Sequence, residues 1–188
     1  YDQIGCWAIT EPDHGSDELD VNAAASATGH DRGRANCIAR PDGNSIVING
    51  QKSAWVSNGT IAETAALFCT YDDGGEEVKH GVFLVDLKDK GVTRGKPTDK
   101  IGQRSLNQGE IFFDDVRIPT ANMVAPPERY TDFTTMILTR ANSSMGISFS
   151  GLAQAAFDEA LAYAKERKQG GVPIIQHQNV KGRLFEMF

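Results

Sequence analysis

The chain has 188 residues, of which 40% are hydrophobic and 23% charged, with a net charge of −6. That is the length of one domain or two small ones and the composition of an ordinary globular protein. The acidic balance argues against nucleic acid as the main partner, because phosphate binding needs a basic face, and no apolar run is long enough to span a bilayer.

In chain order, the first element is a short apolar strand that stops at Thr10-Glu11-Pro12 and opens into a Gly15-Ser16-Asp17 turn. Proline donates no backbone hydrogen bond, so it ends sheet pairing there. Thr10 and the neighbouring amides are left free to bond something other than a strand. Up to about residue 118 the pattern stays that of strands. Pro41-Asp42-Gly43-Asn44 is a turn signal between Ala35–Arg40 and Ser45–Asn49, and Asp72-Asp73-Gly74-Gly75 is another between Ala65–Tyr71 and Gly81–Val85. Ile46 and Ile48 alternate with Val47 across two faces. Turns recur at the rhythm of a sandwich or barrel, and no helix-period stretch interrupts them.

The pattern changes after Ile118-Pro119. Thr120 to Pro127 reads as a linker, and Thr131 as the N-cap of a helix beginning near Asp132. Residues 151 to 169 are rich in good helix formers. Leu152, Ala156, Ala160 and Tyr163 share one face, as do Phe157, Leu161 and Ala164, and the alanines allow the close packing of a bundle core. Gly170-Gly171-Val172-Pro173 is read as the stop of this helix, and a further helix starts near Gln178 and is still running at Phe188. A chain that begins in a strand and stops in an amphipathic helix reads as a piece of a longer protein.

Cys6, Cys37 and Cys69 are odd in number and form no C-x-x-C pair, which points to buried apolar thiols in a reducing compartment rather than disulfides or zinc. His14, His30, His80 and His177 show no metal-ligand spacing with them. Neither a P-loop nor a G-x-G-x-x-G is present. No charged-then-apolar leader opens the chain.

Four segments carry a family resemblance. Trp7-Ala8-Ile9-Thr10-Glu11-Pro12-Asp13-His14-Gly15-Ser16, followed by Asp17, resembles the flavin-facing signature of the acyl-CoA dehydrogenases. Asn49 to Gly59 looks like that family's second flavin strand, with Trp55-Val56-Ser57 at its end. Asp99 to Ser105 with Glu110 to Pro119, and Gly151 to Gln169 with Gln176-His177-Gln178, complete the set in the family's order and at about its spacing.

The resemblance implies an α+β chain. Residues 1–123 would be the middle β-domain, an antiparallel barrel or sandwich that binds flavin and acyl-CoA. Residues 124–188 would be the first helices of the C-terminal four-helix domain, which contacts flavin and builds the oligomer. The N-terminal helical domain and the end of the C-terminal domain would lie outside this chain. The implied cofactor is FAD, and the implied reaction is α,β-dehydrogenation of an acyl-CoA to the 2-enoyl-CoA with hydride transfer to flavin N5. Trp7, Ile9 and Thr10 would line the pyrimidine end of the flavin, and Trp55, Val56 and Ser57 would cover the isoalloxazine. Ser57 stands where the family commonly has Thr. Ser16 would sit where flavin diphosphate and pantetheine meet, with Thr139 and Asn142 also on the substrate side. Arg167, Gln169, His177 and Gln178 would reach the FAD of a neighbouring subunit, which implies a homodimer or homotetramer. An electron-transferring flavoprotein or similar acceptor is the implied partner, and the cytoplasm or the mitochondrial matrix the implied location.

Read singly, the same residues have plainer roles. Trp7 and Trp55 are core aromatics, Thr10 and Ser16 turn residues, Arg167 a solvated helix end and His177 a loop histidine. Arg104, Asp114, Asp115 and Arg117 match the family but read as structural, and Glu11 and Asp17 as structural caps. No catalytic residue is named. Most members take the base from a loop past the end of this chain; where a minority take it from the first helix, this chain has Arg140, Ala141 and Asn142, with no carboxylate. Gly170 replaces a Phe that some relatives place after the Arg-Lys-x motif. A same-fold acyl-CoA oxidase, a flavin monooxygenase and a non-catalytic flavin- or acyl-CoA-binding module are the alternatives.

Overall fold

The computed structural model describes residues 2–15 and 36–188. Ser16, Asp17, His30 and Ala35 therefore lie outside the described residues. The chain divides into two compact units, Tyr1–Thr135 and Met136–Phe188.

The first unit is built on a sheet of eight strands: β1 (Gly5–Ala8), β2 (Ile38–Asp42), β3 (Ser45–Ser57), β4 (Thr64–Tyr71), β5 (Lys79–Asp86), β6 (Val92–Arg94), β7 (Gln108–Pro119) and β8 (Met123–Ala125). They are ordered β6-β7-β3-β2-β4-β5-β8, with β1 added on β4. Most neighbours are antiparallel, as expected from the hairpin signals. The exceptions are β1 and β2, which both run parallel to β4, one beside Thr64–Leu67 and the other beside Thr70–Tyr71. Both turn signals form turns. Asp42 pairs with Ser45 across Gly43-Asn44. Asp72 and Asp73 cap their loop by accepting bonds from the amides of Gly74 and Gly75.

Alternation decides which faces are buried. Ile46 and Ile48 of β3, Leu67 and Cys69 of β4, Phe83 and Val85 of β5, and Ile111, Val116 and Ile118 of β7 meet in one core. Cys6, Cys37 and Cys69 are all free and buried in it, as their apolar context predicts.

β3 and β7 cannot pair evenly along their length. A bulge interrupts them between Ile48 and Gly50, where Gly50 has φ 133° and Asp115 φ 49°. Asn49 and Asp115 lock this bulge by exchanging two 2.9 Å bonds, Asn49 Nδ2 to Asp115 Oδ1 and Asp115 N to Asn49 Oδ1. The structural reading of Asp115 and Arg117 agrees with this, since Arg117 pairs with Asp42 at 2.6 Å. Arg104 pairs with Asp99 in solvent, at 3.7 Å.

Two readings of the region after residue 119 are corrected. Thr120–Pro127 is not a linker: Thr120–Asn122 is a 3-10 turn, and β8 extends the sheet by pairing with β5. The next helix does not begin near Asp132. It begins at Pro127, and α1 (Pro127–Glu166) runs unbroken for 40 residues, leaving Thr131 exposed inside it rather than capping it. Proline suits a first helical position because the amide it lacks would have no intrahelical partner, and Glu128 suits the positive pole. Tyr130 fixes this first stretch within the β-unit, stacked on His80 at 5.2 Å and edge-on to Phe68 at 6.3 Å.

In the second unit α1 ends at Glu166, three residues before the expected stop. A two-residue hairpin follows, β9 (Lys168–Gln169) with β10 (Val172–Pro173), turned by Gly170 and Gly171 at φ 65° and 84°. A 3-10 turn (Ile174–Gln176) then leads into α2 (Gln178–Met187), the helix expected from Gln178. Of the predicted helix face, Ala164 is buried and Phe157 packs its ring 5.7 Å from Phe188, while Leu152 and Tyr163 are exposed. No helix among the described residues is long and apolar enough to cross a membrane.

Candidate functional site

The two segments that sequence singles out as ring contacts lie side by side. Asn58 Nδ2 reaches the carbonyl oxygen of Gly5, and the amide of Ser53 donates to the carbonyl oxygen of Thr10 at 2.8 Å. These contacts run residues 5–10 against 53–58 in the opposite direction. Pro12 is where this strand-like run ends, as its missing donor requires.

A buried ion pair holds the run in place. Lys52 Nζ lies 2.7 Å from Glu11 Oε1 and 2.7 Å from the carbonyl oxygen of Ile9, and both charged side chains are wholly excluded from solvent. Glu11 in turn accepts from the amides of Asn36 and Cys37. Accepting these two amides, Glu11 is the structural cap expected of it. Its partner went unremarked because a single polar residue in an alternating strand gives no sign that it points inward. Burying two charges is tolerated only when each is paired and further hydrogen-bonded, and that is the arrangement here.

Around this frame sit two indoles that the sheet does not bury. Trp7 is 47% exposed and Trp55 62% exposed. Neither is the core aromatic that either would be if read alone. An open depression of about 500 Å³ lies beside Trp7, lined also by Gly5, Cys6, Thr64, Ala66 and Leu84. Val56 is buried in the core, while Ile9, Thr10 and Ser57 are half-buried. Ser57 Oγ accepts a bond from Gln108 Nε2 at 3.2 Å. Gln108 lies outside the motifs quoted from the sequence, and only the β3–β7 register brings it to Ser57.

The second unit carries the other group of residues. The hairpin and the 3-10 turn bring His177 back to Gln169, with His177 Nε2 3.0 Å from the carbonyl oxygen of Gln169. Gln169, Gly170, Ile174, His177, Asn179 and Val180 line an open hollow of about 420 Å³. Arg167 and Gln178 are exposed nearby in sequence, and the amide of Ile174 donates to the carbonyl oxygen of Arg167. Thr139 and Asn142 are exposed on α1, and the Thr139 carbonyl oxygen accepts from Ser143 Oγ.

The comparisons with known proteins follow this division. Residues 6–116 match the family model "Acyl-CoA dehydrogenase, middle domain", and residues 133–188 match "Acyl-CoA dehydrogenase, C-terminal domain". The chain belongs to the acyl-CoA dehydrogenase family. It is 32% identical over 186 residues to the mitochondrial short-chain specific acyl-CoA dehydrogenase of Mus musculus, a match that covers 99% of this chain and 42% of that protein. It is 28% identical to the short-chain specific acyl-CoA dehydrogenase of Clostridium acetobutylicum, covering 99% of this chain and 45% of the relative. The butyryl-CoA dehydrogenase of Megasphaera elsdenii superposes with a TM-score of 0.83 at 26% identity, covering 98% of this chain and 45% of that one. The chain thus spans under half the length of the relatives it matches. The fold class expected from the resemblance is the one observed.

FAD, the cofactor that the family implies, is tested by the donor set. An exposed indole offers a flat apolar face to a ring. The Ser57 hydroxyl, accepting from Gln108, keeps a proton to donate. The Arg167 guanidinium, exposed and outside any ion pair among the described residues, is a fork suited to a diphosphate. The apolar face and neutral donor of the first unit suit an isoalloxazine, and the cationic fork of the second unit, taken by itself, suits a diphosphate, so the residues fit.

Proposed function

We propose that this chain is the middle and early C-terminal part of an FAD-dependent acyl-CoA dehydrogenase that converts an acyl-CoA thioester to its 2-enoyl-CoA. The observation that carries this reading is the antiparallel apposition of residues 5–10 and 53–58, which assembles both flavin-facing segments of the family on one buried ion pair. Bound FAD would supply a two-electron acceptor for hydride.

The chain's own residues then have these roles. Backbone amides at Ile9 and Thr10, whose carbonyls are taken by Lys52 and Ser53, would with the Thr10 hydroxyl bond the pyrimidine edge, and Trp7 would line it. Such donors stabilise negative charge on the ring and raise its electron affinity. Trp55 would shield the ring from water and Ser57 would donate near N5, while Val56, expected as a ring contact, is buried in the core and would hold that strand end in place. Ser16, which falls outside the described residues, would serve the meeting of diphosphate and pantetheine, and Thr139 and Asn142 the substrate. Arg167, Gln169, His177 and Gln178 bind the FAD of a second subunit, making the active form a homodimer or homotetramer. Residues 1–123 serve as the flavin- and acyl-CoA-binding domain and 124–188 as the flavin-contacting and oligomerising one. No acidic side chain occupies 140–142, where a minority of the family place the base.

The test is the absorption spectrum of the full-length protein, with and without acyl-CoA and without oxygen. The expected result is a flavin band that acyl-CoA bleaches, fastest for the preferred chain length. Peroxide release in air, in place of reduction of an artificial acceptor, would assign an oxidase. A flavin band that no acyl-CoA bleaches would point to a monooxygenase or other flavin chemistry. A protein that stays colourless after reconstitution with FAD would leave a non-catalytic module.

A further inference from the structure

Ser57 ends β3, opposite Gln108 at the start of β7. Gln108 places Nε2 3.2 Å from Ser57 Oγ and 3.4 Å from the carbonyl oxygen of Trp55. The nitrogen and oxygen of a side-chain amide are hard to tell apart by shape, so their assignment has to follow from their partners. Lys100 decides it. Its ammonium lies 3.0 Å from Gln108 Oε1 and 2.7 Å from the carbonyl oxygen of Leu106. An ammonium has three donors and no acceptor, so the amide atom that faces it is the oxygen. The atom facing Ser57 is then the NH2 group, which donates. A hydroxyl that accepts on one side directs its single proton elsewhere.

We propose that Gln108, oriented by Lys100, is a positioning residue that fixes the Ser57 hydroxyl as a hydrogen-bond donor toward the isoalloxazine. This rests on the reading of Ser57 as a flavin contact. The charge on Lys100 polarises the amide and strengthens its bond to Ser57 on the far side. Without that bond the hydroxyl rotates freely and can spend its proton on a backbone carbonyl. The three residues come from β3, β7 and the loop between β6 and β7, so one rigid register sets the direction of one proton.

The test uses the full-length FAD-loaded protein and four variants: S57A, Q108E, Q108L and the double variant S57A/Q108E. The readouts are the midpoint potential and absorption spectrum of the bound flavin, together with the rate of anaerobic bleaching by acyl-CoA. A glutamate at 108 keeps the size and the contact with Lys100 but only accepts, so it turns the Ser57 proton inward. Q108E is expected to shift the spectrum and lower the potential in the same direction as S57A, and to slow bleaching about tenfold, the size of one hydrogen bond. Q108L, which adds no charge, is expected to move both in that direction by less. On the S57A background Q108E is expected to add nothing.

Equal shifts from Q108E with and without Ser57 would reduce the effect to a bare charge and overturn the proposal. So would two silent changes at 108 beside a responsive S57A, and that result would leave the flavin reading standing. A silent S57A in protein that binds flavin would overturn the reading of Ser57 and the proposal together. Should a variant at 108 melt early, Lys100→Met removes the anchor of the amide without touching the β-ladder. It is expected to move the potential in the same direction, and no movement would overturn the proposal.

Discussion

At the scale of single residues, the buried groups carry the sharpest consequences. Glu11 and Lys52 are both sealed from water, and each is the other's counter-charge. Removing one leaves an uncompensated buried ion, so Lys52→Met or Glu11→Gln is expected to cost about 3–5 kcal/mol in chemical unfolding. The double change to Met and Gln is expected to recover part of that loss, because it leaves no lone charge. A single variant as stable as the unaltered protein would show that the pair is not buried in solution. Cys6 gives a pH prediction. Burial raises its thiol from 9.0 to about 11, with Arg94 pulling weakly the other way. The folded protein thus holds this proton more tightly than the unfolded chain does. The stability that follows is fully present below pH 9 and is lost as pH rises toward 11. Unfolding monitored from pH 8 to 11 is expected to show this decline, and Cys6→Ser to flatten it. Burial also raises Cys69, and the hydrogen bond its thiol donates to Cys37 adds to it, so thiol reagents at pH 8 are expected to label the native protein slowly and the unfolded chain fast.

At the scale of elements, Gly50 sets how β3 can lie. A Cβ added there would stand 2.5 Å from Cys37 Cα and 2.9 Å from the carbonyl oxygen of Asn36, at a φ of 133° that side chains rarely adopt. Gly50→Ala is therefore expected to lower stability by at least about 2 kcal/mol, read from the denaturant midpoint. The exposed Gly43 has open space around its own Cβ position, and Gly43→Ala is expected to cost only the strain of its positive φ, about 1 kcal/mol. The long helix teaches a different lesson. Ser143, Ser148 and Ser150 each donate to the carbonyl four residues earlier, sharing an acceptor with the helix ladder, a bond that slightly weakens and tends to bend a helix, yet α1 runs unbroken through them.

At the scale of the whole molecule, ligand binding and folding are linked equilibria. A ligand that binds only the folded state stabilises it by mass action. FAD supplied at about 100 times its dissociation constant is expected to add about 2.7 kcal/mol to the stability of the full-length protein, seen as a rise in melting temperature. Arg167→Ala is expected to reduce that rise, while Arg104→Ala, which among the described residues loses an exposed pairing with Asp99, is expected to leave it unchanged. An equal loss in both variants would show a general charge effect rather than a diphosphate contact.

Much of this was legible beforehand for a physical reason. Alternation of Ile46, Val47 and Ile48, the Asp-Gly turns and the buried thiols depend on local pattern, and local pattern is what a sequence displays. The start of α1 was misplaced because Thr131 is a good cap in isolation; what decides the matter is Tyr130, held between His80 and Phe68 by contacts far apart in the chain. The short β8 was missed because its only strand signal is a partner, β5. At the site, Trp55 and Ser57 could be read from their order in the chain. Lys52 facing Glu11, and Gln108 facing Ser57 from 51 residues away, could not. The sequence by itself determined the alternating strands, the helical C-terminal part and the family. Only the tertiary structure decided which polar side chains turn inward and meet, because a hydrogen bond across strands is fixed by register, and register is a property of two segments at once.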